Sequence, residues 1–404
     1  MMLETRLGTA RLLARPGERR LWVLDAGAAA LWDLHTAGWA GESLVGLLAE
    51  HFELAPAVTR HYLDGSYAEW QAAGLLTGAD TVDRPCDPIE IVPNLPEPAP
   101  GAAPLGAWWR SVADRTVSLW IQDEGLRAAL APLLPTSPDP DDTQPAQAPC
   151  DHLALYGDKT HWTLRGNGAE LASDQGRDAA VVAALSAITE LGCRTRERLL
   201  VVHGAGLLAP GGRALLLIAP GGCGKSTLAA GLNAAGCGLL SDDVVPVTPA
   251  GDLLGLGLPL CLKPGSWPVL RARRPDLDQA PAVQRFGQTV RYLPAHGRPV
   301  TGAHPPALFL FPRYHPGQPP HCEPRLPEQA LQGLVEAEAV IRDLDQAKLE
   351  ALARWVSAVP AYALTYPDLD SGLALVRDLL EALPASSGGP CGVACPFIDD
   401  AVTP

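Results

Sequence analysis

Lysine is nearly missing from this chain. In 404 residues it occurs only at Lys159, Lys225, Lys263 and Lys348, and the other basic positions are arginine. Where so biased a sequence keeps lysine, a compact point charge is expected to have a use. Positive charge is scarce overall: the formal net charge is -14, which argues against the broad basic surface that nucleic acid requires. No apolar run is long enough to span a bilayer, so no membrane partner is expected. The opening MMLETRLG lacks the pattern of a signal peptide, and nine cysteines, odd in number and scattered, offer no disulfide framework. A reducing, cytoplasmic location follows as the expectation. Charged residues amount to 19% and hydrophobic ones to 47%, as in a soluble globular chain with room for two or three domains. There is no convincing internal repeat.

Several organised segments stand between these absences. Residues 11–14 and 20–25 read as short strands joined by a turn at Pro16-Gly17, and helices are expected over 27–36, 42–51 and 56–73. In the last of these, Val58, Tyr62, Leu63, Trp70 and Leu75 recur at near-helical spacing. A hairpin with three helices is a winged-helix-like module, expected over residues 1–78. Residues 79–106 are rich in proline and alanine without a period, and read as a semi-stiff linker. Strand-like pieces at 117–122 and 153–156 are separated by a polar, proline-rich insert, and 178–191 has one apolar helical face. Then "RLLVVHG", "RALLLIAP" and "GLLSDDVVPV" are spaced like strands of an α/β sheet. The tail 385–404 carries Cys391 and Cys395, which lack a second ligand pair and read as free thiols rather than a metal site.

The stretch "ALLLIAPGGCGKSTLAAGL" carries the chemistry. A buried strand over 213–218 leads into a loop over 219–224 and then a helix, the context that a Walker A motif needs. Gly221, Gly222 and Gly224 let the backbone curl so that the N–H groups around Cys223 point at phosphate oxygens. The helix N-terminus at Lys225, Ser226 and Thr227 adds partial positive charge. Lys225 is placed to reach terminal phosphates, and the Ser226 hydroxyl to ligate Mg²⁺. The motif departs from GxxxxGK[ST] only at Ala219, a position that opens the turn.

The apolar run after this helix, "LLSDDVVPV", lacks the Asp-Glu ending of an ATPase strand, and no LSGGQ signature is present. Asp242 and Asp243 instead suit transfer to a hydroxyl: one can hold Mg²⁺ while its neighbour accepts a proton. His203 closes the preceding apolar run at a strand end, where α/β sheets place ligand groups.

The series "VVHG", "APGGCGKSTLA" and "SDDVV" resembles the HPr kinase/phosphorylase family and its HPr-kinase-like relatives. The resemblance implies an α/β P-loop kinase domain over 107–384, ATP (or GTP) as phosphate donor, and Mg²⁺. It makes His203 the active-site histidine, Lys225 and Ser226 the phosphate and metal residues, Asp242 the proton acceptor, and Asp243 its partner near the metal. The further runs "LPLCLKPGS", "VRYLPA" and "FLFPRY" nominate Lys263, Arg291 and Arg313 as cations for the transferring group. The acidic cap of the bifunctional enzymes is not recognisable after Asp243, so a forward kinase is expected rather than reverse phosphorolysis. HPr kinases form oligomers, so a homo-oligomer is admitted, although no sequence feature decides it.

The first 78 residues resemble the PqqD family, the RiPP recognition elements that bind leader peptides, through "LWVLDAGAAALWDLHTAG", "SLVGLLAEHF" and "AEWQAAGLL". That implies a small α+β domain whose edge strand, with Leu21, Trp22 and Val23, accepts a precursor peptide as an added strand. The joint expectation is a kinase acting on a Ser or Thr of a ribosomal precursor peptide, in company with other enzymes of its biosynthesis. A nucleotide-gated peptide chaperone, or a kinase for a partner protein or small molecule, are the alternatives.

Overall fold

The structure is a computed structural model that describes residues 2–16, 20–39, 41–51, 55–76, 107–134, 150–158, 160–167, 169–297 and 299–383. The linker, the proline-rich insert and the cysteine-bearing tail expected from the sequence lie outside these. The described residues form a mixed α/β protein with ten α-helices and five sheets. None of those helices is long and apolar enough to cross a membrane.

A six-stranded sheet is the frame of the molecule. Its order is Gly238–Ser241, Gly204–Leu208, Ala214–Ile218, Pro306–Tyr314, Ala361–Tyr366 and His321–Arg325. Ala214–Ile218, Pro306–Tyr314 and Ala361–Tyr366 run parallel, so their C-terminal ends open on one edge. Both faces are covered, which is why these strands read as unbroken apolar runs rather than alternating ones. Helices Lys225–Ala234 and Leu369–Ala382 pack on one face, and helices Pro327–Glu336 and Gln346–Ala358 on the other.

Beside this frame, strands Ala107–Val112, Arg115–Ile121, Cys150–Gly157, His161–Gly166 and Ala169–Gln175 form a sheet that shares a core with helix Arg177–Cys193. A four-stranded sheet orders Thr301–His304, Leu253–Leu256, Val245–Val247 and Leu200–Val202. A three-stranded sheet orders Leu260–Leu262, Gln288–Leu293 and Ala282–Arg285.

At the N-terminus the three helices expected from the sequence are present as Ala26–Thr36, Gly41–His51 and Pro56–Ala72. The sheet has one strand more than expected, in the order Leu3–Leu7, Ala10–Ala14 and Leu21–Leu24. In "LETRL" only the two end residues are buried, too short an apolar signal to read as a strand. Alternation along these strands sends side chains both ways. Leu13 and Leu24 join the aromatic core of the three helices, with Trp32 and Trp70. Leu3, Leu7, Leu12 and Ala14 instead join Leu331, Leu334, Leu349 and Leu352 of the helices behind the six-stranded sheet. Gln346 Nε2 reinforces the contact by donating to the Glu4 carbonyl at 2.8 Å.

The N-terminal sheet is therefore buried on both faces, and its hydrophobic content does not serve its own helices alone. Each fully buried leucine stabilises by roughly 1.5–3 kcal/mol, so three or four of them rival the whole stability of many domains. Deleting residues 1–78 is expected to expose this surface and give aggregated or molten protein, checked by gel filtration and near-UV circular dichroism. A truncated chain that melts cooperatively at the temperature of the full chain would contradict a shared core.

Candidate functional site

Strand Ala214–Ile218 is buried throughout and delivers the chain into the loop over 219–224. Gly222 and Gly224 have φ of 86° and 90°, left-handed values that only glycine adopts without strain. At Gly224 space is also closed, because a Cβ there would lie 3.2 Å from Tyr366 Oη and 3.4 Å from Tyr314 Cβ. Helix Lys225–Ala234 starts directly after it, so its first free N–H groups and dipole face the loop interior, an arrangement suited to anions. Lys225 is buried, and its ammonium donates to the Ala219 carbonyl and, at 3.1 Å, to that of Pro220. Burial holds the Lys225 pKa below the ordinary lysine range. The Cys223 carbonyl accepts from the Tyr314 N–H at 3.4 Å, tying the loop to the end of the neighbouring strand.

Two strand crossings bring His203 and the aspartates together. "VVHGAGLL" and "LLSDDVVPV" each read as one run, yet each divides between two sheets. In the four-stranded sheet Val202 pairs with Val245; in the six-stranded sheet Gly206 pairs with Ser241. The residues left between the paired positions, 203–205 and 242–244, face each other where both strands change sheet. The Ser241 hydroxyl donates to the Val244 carbonyl, and the Gly204 N–H donates to the Asp243 carbonyl at 3.1 Å, so the crossing is pinned at both sides.

The two carboxylates point apart. Asp243 adopts φ of 77°, a left-handed value that Asp tolerates better than most residues and that turns consecutive side chains to different sides. Asp242 is buried behind the loop, accepting from Ser226 Oγ at 2.9 Å and from the Cys261 N–H at 3.0 Å. Asp243 lines the cleft. Its Oδ2 accepts from Arg285 at 2.6 Å, and its Oδ1 lies 3.7 Å from His203 Nε2. Burial, and secondarily the Lys225 ammonium, hold the His203 pKa below the ordinary imidazole value.

Burial pushes the Asp242 pKa up to about 6 from 3.8, against the lowering effect of the Cys261 N–H. A carboxyl whose folded pKa is raised stabilises the fold in its neutral form. That contribution is full below pH 3.8 and is lost as pH rises through about 6. The loss is about 2–3 kcal/mol at neutral pH. Without ligand, Asp242→Asn is therefore expected to raise the melting temperature at pH 8, by a margin that vanishes near pH 4. A margin independent of pH, measured by calorimetry across that range, would contradict the assignment.

Around these groups lies a cleft of about 560 Å³, lined by Gly221, Gly222, Gly224, Lys225, Ser226 and Thr227 of the loop and helix start. His203, Asp243, Lys263 and Arg285 line it as well. Arg285 carries no signal in the sequence: it reaches the site on the hairpin Ala282–Arg285 and Gln288–Leu293, whose turn is Phe286-Gly287. The Phe-Gly pair between two β-rich runs was the one available clue to that turn. Asp243 is the partner that holds the Arg285 pKa above its ordinary value, despite burial.

Two expected cations are elsewhere. Arg291 lies over the Trp267 ring at 4.4 Å from its centre and donates to the Leu277 carbonyl at 2.8 Å, a structural position outside the cleft lining. Arg313 is exposed, and strand alternation places it on the face of Phe309 and Phe311, opposite the face that carries the helix after the loop. The position of Asp242 likewise disagrees with a role as proton acceptor, because it is enclosed behind Ser226, and Asp243 is the carboxylate that meets the cleft. At the N-terminal sheet, Leu21–Leu24 pairs on one side only among the described residues. Leu21 and Trp22 are half-buried and Val23 exposed, as are Val58 and Tyr62 of helix Pro56–Ala72.

The described residues contain no group of three or more His, Cys, Asp or Glu placed to hold a metal, and Cys193, Cys223, Cys237, Cys261 and Cys322 are free thiols. In comparison with known proteins, the chain matches no family model and no curated protein.

Proposed function

We propose that this chain is a kinase of the HPr-kinase-like kind. It transfers the γ-phosphoryl group of ATP to a Ser or Thr hydroxyl on a ribosomally made precursor peptide. The observation that carries the reading is the separation of the two aspartates. Asp242 backs the Ser226 hydroxyl at 2.9 Å, while Asp243 faces the cleft between His203 and Arg285. Metal-holding and proton-accepting functions are thereby divided between neighbours, with Asp243 rather than Asp242 as the acceptor.

Ser226 and Asp242 fit Mg²⁺, which takes few protein oxygens and completes its shell with phosphate and water. When bound, the ion would neutralise phosphate charge. The chain supplies the rest. Loop N–H groups and the start of helix Lys225–Ala234 hold the phosphates, and Lys225 exchanges its loop carbonyls for them. Arg285 fixes Oδ2 of Asp243 and leaves Oδ1 to take the proton of the acceptor hydroxyl. As the hydroxyl oxygen bonds to the γ-phosphorus, the bond from phosphorus to the β–γ bridging oxygen breaks and ADP leaves. Lys263 and Arg285 place positive charge beside the transferring group.

The edge of Leu21–Leu24, unpaired among the described residues, with exposed Val23, Val58 and Tyr62, supports leader binding by strand addition in the manner of PqqD-like modules. Because that module shares a core with the helices behind the six-stranded sheet, the leader would be held at a fixed place rather than on a free tether. The test is mass spectrometry of a candidate precursor peptide after incubation with ATP and Mg²⁺. A gain of one phosphate supports the kinase. No gain, with peptide affinity that changes on adding nucleotide, supports a nucleotide-gated chaperone instead.

A further inference from the structure

The cleft has a second wall that the transfer chemistry does not use. Asp243, His203 and Arg285 stand on one side of the glycine loop. On the other, strands Pro306–Tyr314 and Ala361–Tyr366 run parallel to the strand that feeds the loop, so they end at the same edge. There they present Tyr314 and Tyr366, followed by Leu369 at the head of the next helix, and all three line the cleft. Ligands of open α/β sheets bind outside such carboxyl ends.

Tyr366 is 3% exposed, yet its hydroxyl has no hydrogen-bond partner among the described residues. A buried hydroxyl left unpaired is costly, and this one, 3.2 Å from where a Cβ on Gly224 would stand, is free to donate to an acceptor beside the glycine loop. Burial raises the Tyr366 pKa, so the hydroxyl remains a donor throughout the neutral range. Tyr314 differs. It is 51% exposed, its ring lies 6.3 Å from that of Tyr366 at a 54° tilt, and its N–H is tied to the Cys223 carbonyl. An open aromatic face fixed to a phosphate-type loop suits a flat, apolar ring. The charged lining residues Asp243, Lys263 and Arg285 come from elements other than these two strands and the helix that follows them.

We infer that Tyr314 and Tyr366 form the nucleoside subsite, with Tyr314 stacking on the purine and Tyr366 donating to a ribose or α-phosphate oxygen. This rests on the kinase reading and deepens it. Transfer toward Asp243 fixes where the terminal phosphate points, which leaves the opposite wall for the nucleoside. A purine held by its face, with no carboxylate or side-chain amide among the described residues that line the cleft from these two strands and the following helix, is accepted as adenine or guanine.

The test is calorimetric titration of the full chain with ADP, GDP, CDP and tripolyphosphate, each with Mg²⁺. ADP and GDP are expected to bind within about fivefold of each other, and CDP more weakly. Tyr314→Ala is expected to weaken both purine nucleotides by about tenfold, in line with single-base stacking, and to leave tripolyphosphate unchanged. Tyr366→Phe, which keeps the ring packing, is expected to weaken ADP several-fold and tripolyphosphate little. The inference is overturned if Tyr314→Ala leaves ADP binding intact or weakens tripolyphosphate equally. A preference between ADP and GDP above about a hundredfold would also overturn it, by requiring edge recognition. Failure of all four ligands to bind the wild-type chain would overturn the kinase reading as well.

Discussion

Asp243→Asn is expected to lower phosphoryl transfer by about a hundredfold to ten-thousandfold, the range of a lost general base, with nucleotide affinity retained. The Asp243 carboxylate meets Arg285 at 2.6 Å and His203 at 3.7 Å rather than the glycine loop. Asp242→Asn is expected to act differently. Asp242 accepts from Ser226 at 2.9 Å, so its loss weakens the hold on the metal–nucleotide complex and shows first as a raised KM for ATP. The two variants, compared in one steady-state series at fixed peptide, separate the roles. If Asp242→Asn removed turnover with KM unchanged while Asp243→Asn remained active, the two aspartates would have the opposite roles.

The second large effect concerns Lys225. Lys225→Met is expected to weaken binding of MgATP by about a hundredfold or more, since hydrogen bonds between charged partners in a partly enclosed site are the strong ones. Stability should change far less. In the ligand-free fold the ammonium is buried against its charge and bonded to the Ala219 and Pro220 carbonyls. Methionine removes the burial penalty and those bonds together, and the two largely offset. Calorimetric titration with MgATP, alongside thermal melting of the same sample, checks both halves. A variant that binds nucleotide normally would show that the lysine serves the loop rather than the phosphate.

Why these residues and not others were visible in the sequence has physical reasons. The glycine loop was legible because a buried strand, left-handed glycines and a helix start succeed one another within a dozen residues. His203, Asp242 and Asp243 were legible as polar residues closing apolar runs. Which aspartate turns inward was not, because that depends on the left-handed φ of Asp243, a torsion that composition does not encode. Arg285 was missed because a separate three-stranded sheet carries it to the site across 42 positions of chain from Asp243. Arg291 shares that hairpin but faces Trp267, and one residue type on one hairpin gave no sign of the difference. Tyr314 and Tyr366 looked like ordinary members of apolar strands; their role as a wall depends on three parallel strands ending together. At the N-terminus the helices were readable from their apolar period. The second buried face of the sheet was not, since its partners, Leu331, Leu334, Leu349 and Leu352, lie more than 300 residues away.

At the centre stands the proposal that this cleft sends phosphate to a hydroxyl and not to water. The most direct measurement follows γ-labelled ATP in one reaction with the full chain, Mg²⁺ and precursor peptide, counting label on the peptide against free inorganic phosphate. The predicted result is label on a Ser or Thr of the peptide, little free phosphate, and loss of both with Asp243→Asn. Free phosphate as the main product, unaffected by the peptide and by Asp243→Asn, would contradict it.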